Sequence, residues 1–196
     1  MNVTHSFAYT NWRMSIDDRA SNYEAMAEGY KTASMRLLDS LLIDNCTHDA
    51  DAVIFPILFC AHQSIELYLK AAKIKELQCT KDCNPWKAKF PDKHDLTKLV
   101  SSLNSAIPDN NGNRLTRSEQ TSPFFDLVDF LQSIGTDGES SYYPDCARYP
   151  EKTKKDELVK YRFVEDGSLV ISLVAAKDLI ANGLRFIEGY CAMWSD

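Results

Sequence analysis

The sequence predicts an all-α protein that carries one small β-hairpin. Two observations lead to this fold class. Apolar residues recur at steps of three and four along five segments of the chain, which is the spacing of an amphipathic helix. One Asp-Gly pair, Asp166-Gly167, stands between two β-rich stretches, and this dipeptide is the strongest short signal of a hairpin turn.

The first helix is predicted at about 16–44, after an N-terminal arm at 1–14. Its apolar stripe alternates steps of four and three. The stripe consists of Ile16, Ala20, Tyr23, Ala27, Tyr30, Ser34, Leu37 and Leu41. Ser15 followed by Asp18 resembles an N-terminal capping box. Residues 15–196 are expected to form a single domain, because this length suits one compact core.

The second helix is predicted at about 50–77, and its opening acidic residues suit a helix N-terminus. Pro56 is expected near the first turn, because a proline deeper inside would remove a backbone hydrogen bond. The stretch Val53 to Ala61 is apolar almost all round. This pattern indicates a central helix that neighbouring helices cover.

Three more helices and the hairpin complete the prediction. The third helix begins near His94, the fourth runs from Pro123 to Gly135, and the last follows Ser172 as its N-cap. Their stripes are Leu96, Leu99, Val100 and Leu103; Phe124, Leu127, Val128 and Leu131; and Leu173, Ala176, Ile180, Leu184, Ile187 and Cys191. The hairpin strands are expected at about 158–163 and 168–171.

Composition narrows the classes of function. The net charge of −6 argues against a broad basic surface of the kind that non-specific nucleic-acid binding needs. Neither a secretion signal nor a run of 18 apolar residues is found, so a cytoplasmic protein with no membrane partner is expected. Its six cysteines are expected to be reduced, with Cys60 and Cys191 as small core residues. A Gly-rich phosphate loop is also missing, and no cofactor is predicted.

One face of the second helix is polar. It carries His62, Gln63, Glu66, Lys70 and Lys73. Composition favours a solvated stripe in which Glu66 and Lys70, four residues apart, form a helical ion pair. The alternative is that the stripe meets polar residues from loops and helps to form a pocket or a buried polar network.

Three stretches together resemble the bacterial branch of the HEPN-like superfamily. They are "PILFCAHQSIELYLKAAK", then "KHDLTKLV" about 20 residues on, and later "SSYYPDCARYP". That branch shows a Glu-x-x-x-Lys helix, a His-Asp-Leu at the start of the next helix, and an Arg-Tyr-Pro after an irregular segment. The resemblance covers about residues 30–190, and its specificity lies in the order and spacing of the motifs.

The resemblance implies an antiparallel bundle of four to five helices that forms a homodimer. The superfamily is associated with RNA cleavage, toxin–antitoxin pairs and phage defence. Many members that cut RNA carry an Arg followed four to six residues later by a His, but none of the eight arginines here has such a His. The favoured expectation is a non-enzymatic binding or regulatory component, with a partner protein encoded nearby or an RNA or nucleotide ligand. The alternative is a metal-independent endoribonuclease with a divergent site.

The resemblance also implies a cluster at one end of the bundle. Its members are His62, Glu66, Lys70, His94, Asp95, Arg148 and Tyr149. Such a cluster suits a phosphate-bearing ligand, or catalysis in which His94 moves protons and Arg148 stabilises negative charge. A structural role is the favoured alternative, with His94 and Asp95 capping the third helix and Arg148 pairing with Glu66.

The cysteine spacing gives a weak metal signal. Cys79 and Cys83, with His94, supply three potential zinc ligands. No second Cys or His pair follows at the spacing of a zinc ribbon or zinc finger. No metal site is therefore predicted.

Overall fold

The computed structural model describes residue 8 and residues 14–79, 89–90, 95–103, 115–135, 151–154, 157–160 and 170–193. This part of the chain is predominantly helical, and the all-α class is confirmed. The helices are α1 (Arg19–Ile43), α2 (Ala50–Cys79), α3 (Leu96–Ser102), α4 (Ser122–Gly135) and α5 (Leu173–Ala192). Two short strands are also present, β1 (Glu151–Lys154) and β2 (Glu157–Lys160). The expected N-terminal arm at 1–14 lies almost wholly outside the described residues.

Helix α1 begins later than the sequence predicted. Asp18 is its N-cap and accepts a 2.9 Å hydrogen bond from the Ser21 backbone N–H. The capping box at Ser15 is therefore wrong, since the backbone of Ser15 instead exchanges two hydrogen bonds with the Asn22 side chain. A carboxylate at the N-cap satisfies a free N–H and complements the positive end of the helix dipole. Ile16 lies outside the helix and is exposed.

Helix α2 follows its predicted limits, but the position expected for Pro56 is wrong. Asn45 accepts the Ala50 N–H at 2.9 Å and so helps to fix the start of the helix at Ala50. Pro56 consequently lies in the second turn, where it supplies no N–H to the carbonyl of Ala52. Ala52 is exposed, so water can hydrate that region of the backbone.

Helix α2 also has the length and composition of a membrane span. Its most apolar 18-residue window has a mean hydropathy of 1.5. Core helices of soluble proteins meet the same criteria, and 61% of this window is buried inside the structure. The contacts of α2 with α1, α3 and α5 account for this burial.

Helices α1 and α2 pack antiparallel through small side chains. The Ser34 hydroxyl donates to the Ile57 carbonyl at 3.1 Å, and the Ser64 hydroxyl donates to the Ala27 carbonyl at 2.9 Å. Later residues of α1 thus meet earlier residues of α2. Both serines and Ala27 are fully buried, which lets the two backbones approach closely.

Helix α5 lies against both α1 and α2. Ser172 is its N-cap, as predicted, and accepts the Ala175 N–H at 3.3 Å. Ion pairs join Lys31 to Glu188 at 2.8 Å and Asp39 to Lys177 at 2.6 Å. Because the order of the partners reverses, α5 runs antiparallel to α1 and parallel to α2.

Helix α4 packs on α5 through aromatic rings and one glycine. The rings of Phe124 and Phe186 have centroids 5.9 Å apart. A Cβ added at Gly183 would lie 2.7 Å from the Cβ of Leu127, closer than packed carbons come. Helices α4 and α5 can therefore approach this closely only because Gly183 has no side chain.

The strands pair differently from the predicted hairpin. β1 and β2 are antiparallel, with Glu151 opposite Lys160 and Lys154 opposite Glu157. Residues 157–160 thus form a strand, but its partner is the preceding strand and not the following one that was predicted. Two residues separate the paired strands, which is the commonest length for a hairpin connection. Val170 and Ile171 belong to no strand, so that end of the expected 168–171 strand is wrong. The Asp166-Gly167 turn lies outside the described residues.

Candidate functional site

The described residues contain part of the predicted cluster. His62, Glu66 and Lys70 lie on α2, and Asp95 precedes α3. His94, Arg148 and Tyr149 lie outside the described residues. The geometry of the cluster can therefore be built from its α2 and α3 members.

Glu66 and Lys70 form an ion pair within the protein interior. The Lys70 Nζ lies 2.5 Å from Glu66 Oε1, four residues away along α2. The Glu66 side chain is only 2% exposed, whereas that of Lys70 is 20% exposed. A buried carboxylate is tolerated only where a partner compensates for its lost hydration. Lys70 supplies that compensation and keeps its own contact with water.

The solvated interpretation of the polar stripe is wrong. His62 is 1% exposed, and Lys73 is buried in an ion pair with Glu76 at 2.8 Å. The residues between them, from Ser64 to Leu69, are buried as well. This half of α2 is therefore enclosed on nearly all sides, which agrees with the buried polar network considered as the alternative.

Phe90 connects this region to α1. Its ring centroid lies 5.5 Å from the Lys70 Nζ and 5.3 Å from the Arg19 Cζ, distances typical of cation–π contacts. The Tyr23 ring meets Phe90 edge to face at 5.8 Å. Sequence reasoning missed Phe90 and Arg19, since no periodic pattern includes either residue.

Asp95 caps α3, as the structural interpretation predicted. Its Oδ1 accepts the Lys98 backbone N–H at 3.1 Å, and its Oδ2 lies 3.3 Å from the Lys98 Nζ. Asp95 is also 7% exposed. Both carboxylate oxygens are thus engaged within their own helix, and helix capping explains this residue.

A second polar cluster, which sequence reasoning missed, joins three helices. We call it the α1–α2–α5 polar seam. It consists of Glu24, Glu28, Lys31, Tyr68, Lys75 and Glu188. Lys75 reaches Glu24 at 2.6 Å and the Cys191 carbonyl at 3.2 Å. The Tyr68 hydroxyl donates to Glu28 at 3.1 Å, and Lys31 lies within 2.9 Å of both Glu28 and Glu188.

Burial and hydrogen bonds set the protonation of Tyr68 and Glu28 in the seam. Burial raises the pKa of Tyr68, and the carboxylates of Glu188 and Glu28 raise it further, so the phenol stays protonated and donates. Burial alone would raise the pKa of Glu28, but hydrogen bonds from Lys31 and Tyr68 outweigh it and lower the pKa. Glu28 is therefore ionised at neutral pH, and the hydrogen bond that it accepts from Tyr68 joins α1 to α2.

The three potential zinc ligands lie mostly outside the described residues. Within these ranges no group of three or more His, Cys, Asp or Glu side chains is arranged to hold a metal ion. Cys79 is exposed at the end of α2, while Cys83 and His94 lie outside the described residues. Cys191 is a core residue, as predicted, and burial raises the pKa of its thiol to about 12. Cys60 is only half-buried.

Comparison with known proteins assigns no family. The arrangement described above consists of a buried Glu66–Lys70 pair, a capping Asp95 and a seam of ion pairs between helices. These groups stabilise α2, cap α3 and join α1 to α2. The chain matches no family model, no curated protein and no solved structure.

Proposed function

We propose that this protein is a HEPN-like helical domain. It acts as a non-enzymatic binding or regulatory component of a bacterial phage-defence or toxin–antitoxin-type system, and it works in the cytoplasm as a homodimer. The observation that carries the proposal is the buried Glu66–Lys70 ion pair, because it gives the Glu-x-x-x-Lys motif a structural purpose.

The packing of the helices supports the HEPN-like assignment. Helix α1 packs antiparallel to both α2 and α5, an arrangement that an antiparallel bundle of four to five helices can contain. Helix α3 follows Asp95 of the His-Asp-Leu motif and packs against α2, which carries the Glu-x-x-x-Lys motif. Two of the three motifs thus belong to helices in contact.

Burial disfavours His62, Glu66 and Asp95 as a general acid or base. A general acid or base has to come within hydrogen-bonding distance of its substrate. His62 and Glu66 are at most 2% exposed, and Asp95 uses both oxygens to cap α3 and to pair with Lys98. The net charge of −6 further disfavours a track for RNA.

A divergent metal-independent ribonuclease is the second candidate. One observation favours it: His94 directly precedes Asp95 in sequence, and Asp95 caps a helix that packs against α2. In this proposal His94 moves the proton of the ribose hydroxyl, and Arg148 stabilises charge on the phosphate.

An RNA cleavage assay separates the two candidates. The purified protein is incubated with total cellular RNA in the absence of metal, and new 5′ ends are mapped beside a positive-control nuclease. The non-enzymatic proposal predicts no new ends. Cleavage that is lost in His94→Ala and Arg148→Ala, both shown by circular dichroism to be folded, would establish the ribonuclease instead.

A plaque assay tests the biological role. Deletion of the gene should raise phage plating, and wild-type protein should restore protection. His94→Gln should restore it equally, because this variant keeps a hydrogen-bonding side chain and the proposed role needs no proton transfer. If deletion leaves plating unchanged across a broad phage panel, the defence role is contradicted.

A further inference from the structure

The ring of Phe90 contacts two cations that come from different helices. The Arg19 Cζ of α1 lies 5.3 Å from the ring centroid, and the Lys70 Nζ of α2 lies 5.5 Å from it. Both distances are within the limit of about 6 Å at which the negative face of an aromatic ring attracts a cation. One ring thus joins the start of α1 to the second half of α2.

Residues at the start of α1 hold the Phe90 ring. Tyr23 meets it edge to face, with centroids 5.8 Å apart. Arg19 lies one helical turn before Tyr23, and its guanidinium contacts the Tyr23 ring at 5.8 Å as well as Phe90. Arg19, Tyr23 and Phe90 are each partly buried, and a cation–π contact gains strength as its cation loses water.

The Lys70 ammonium has two competing surroundings. Its side chain is 20% exposed, so its flexible stem can carry the charge to water. In the structure the ammonium instead lies 2.5 Å from the Glu66 carboxylate, which is only 2% exposed. The contact compensates Glu66 for its lost hydration, but it costs Lys70 part of its own. A further attraction that keeps the ammonium at this position therefore stabilises the pair.

We propose that Phe90 is a positioning residue that keeps the Lys70 ammonium beside Glu66 and thereby controls this ion pair. With the ring in place, both the ring and the carboxylate attract the ammonium. With the ring displaced, the ammonium turns to water more often and Glu66 loses this partner. A ligand or a protein partner that displaces Phe90 would thus alter the buried pair without touching Glu66.

The inference deepens the proposed function and rests on it, because that proposal makes the Glu66–Lys70 pair the centre of the site. It adds the residue through which the pair is regulated. A cation–π contact at a partly exposed site changes an equilibrium by a factor of about two to five. The control that Phe90 exerts on Lys70 is expected to have this size.

Proton exchange of the lysine ammonium groups, followed by nitrogen–proton NMR of the purified protein, tests this role. Phe90→Leu keeps an apolar side chain but removes the ring. It should speed the exchange of the Lys70 ammonium protons about two- to five-fold, because the ammonium then meets water more often. Phe90→Tyr keeps a ring and should retain the wild-type rate. Circular dichroism verifies the fold of both variants.

Lys73 is the matched control within the same spectrum. It follows Lys70 by one turn of α2 and pairs with Glu76 at 2.8 Å. Its exchange rate should stay unchanged in Phe90→Leu. An unchanged rate at Lys70 in the folded Phe90→Leu variant would overturn the role of Phe90. Equal acceleration at Lys70 and Lys73 would overturn it as well, since it would mean that α2 loosens as a whole.

A second measurement needs no variant. Protons above the face of a ring are shielded, so the Lys70 ammonium protons of the wild type should resonate upfield of those of Lys73. Equal chemical shifts would contradict the contact with Phe90 and overturn the inference. Both measurements use the isolated protein, so their failure leaves the outcome of the plaque assay unaffected. Unchanged phage plating, in turn, would contradict the defence role without bearing on Phe90.

Discussion

The two halves of α2 differ in a way that composition would not suggest. The first half is the more apolar, yet Phe55, Phe59 and Cys60 are only half-buried and Pro56 is exposed. The second half carries many polar and charged residues, and most of them are buried. These are His62, Glu66, Lys73, Lys75 and Glu76. Position within the helical assembly, rather than the polarity of each side chain, thus decides burial.

Ion pairing explains how the second half tolerates its charges. Glu66 pairs with Lys70 and Lys73 with Glu76 along the helix, while Lys75 pairs with Glu24 of α1. Each pair replaces part of the hydration that its members lose on folding. The first half needs no such compensation, because its buried residues are apolar.

The largest expected effect belongs to the apolar half. Ile57→Ala removes a fully buried side chain and should lower the free energy of unfolding by about 2–5 kcal/mol, measured by urea denaturation. Ile16→Ala, at an exposed site, should change it by less than about 0.5 kcal/mol. Similar values for the two variants would mean that the first half of α2 is not part of the core.

Glu66→Ala probes the charged half. It leaves Lys70 without this carboxylate and should lower the free energy of unfolding by about 1–3 kcal/mol. The cost stays in this range because the 20% exposed ammonium of Lys70 recovers some hydration. The exposed residue Asp129, which pairs with Arg117, is the matched control, and Asp129→Ala should cost less than about 1 kcal/mol. Equal losses would show that burial adds nothing to the Glu66–Lys70 pair.

Substitutions of two serines test whether the first and second halves of α2 contribute equally to the contact with α1. Ser34→Ala removes the donor to Ile57, and Ser64→Ala removes the donor to Ala27. Each variant should lower the free energy of unfolding by about 1 kcal/mol. The exposed Ser101, which bonds only within α3, should give a smaller loss on replacement by Ala. A marked difference between Ser34 and Ser64 would show that one half dominates the contact.

The smallest expected effect is the pH dependence of the polar seam. The pKa of Glu28 is lowered in the folded state from its ordinary value of 4.5, so its ionised form stabilises the fold above that pH. The stability difference between wild type and Glu28→Gln should be largest at neutral pH. It should shrink as the pH falls below 4.5 towards the lowered pKa, as followed by thermal unfolding. A difference that stays constant across this range would contradict the proposed role of Glu28.

The helices could be predicted from sequence because their signals are local. The stripe from Phe124 to Leu131 and the Ser172 cap each depend on residues within a few turns of one another, and both were confirmed. The start of α1 was missed because Ser15 and Asp18 both resemble an N-cap, and only the hydrogen bond from Ser21 distinguishes them.

The sequence by itself determined which segments are helical, where most of them end, and that Glu66 and Lys70 share a helix face. Only the tertiary structure decided that this face is buried, that Phe90 lies beside Lys70, and that α1, α2 and α5 share a polar seam. The physical reason is the distance along the sequence between the interacting residues. Helical periodicity arises from residues three and four apart, whereas burial and ion pairing between helices depend on groups such as Lys31 and Glu188 that folding alone brings together.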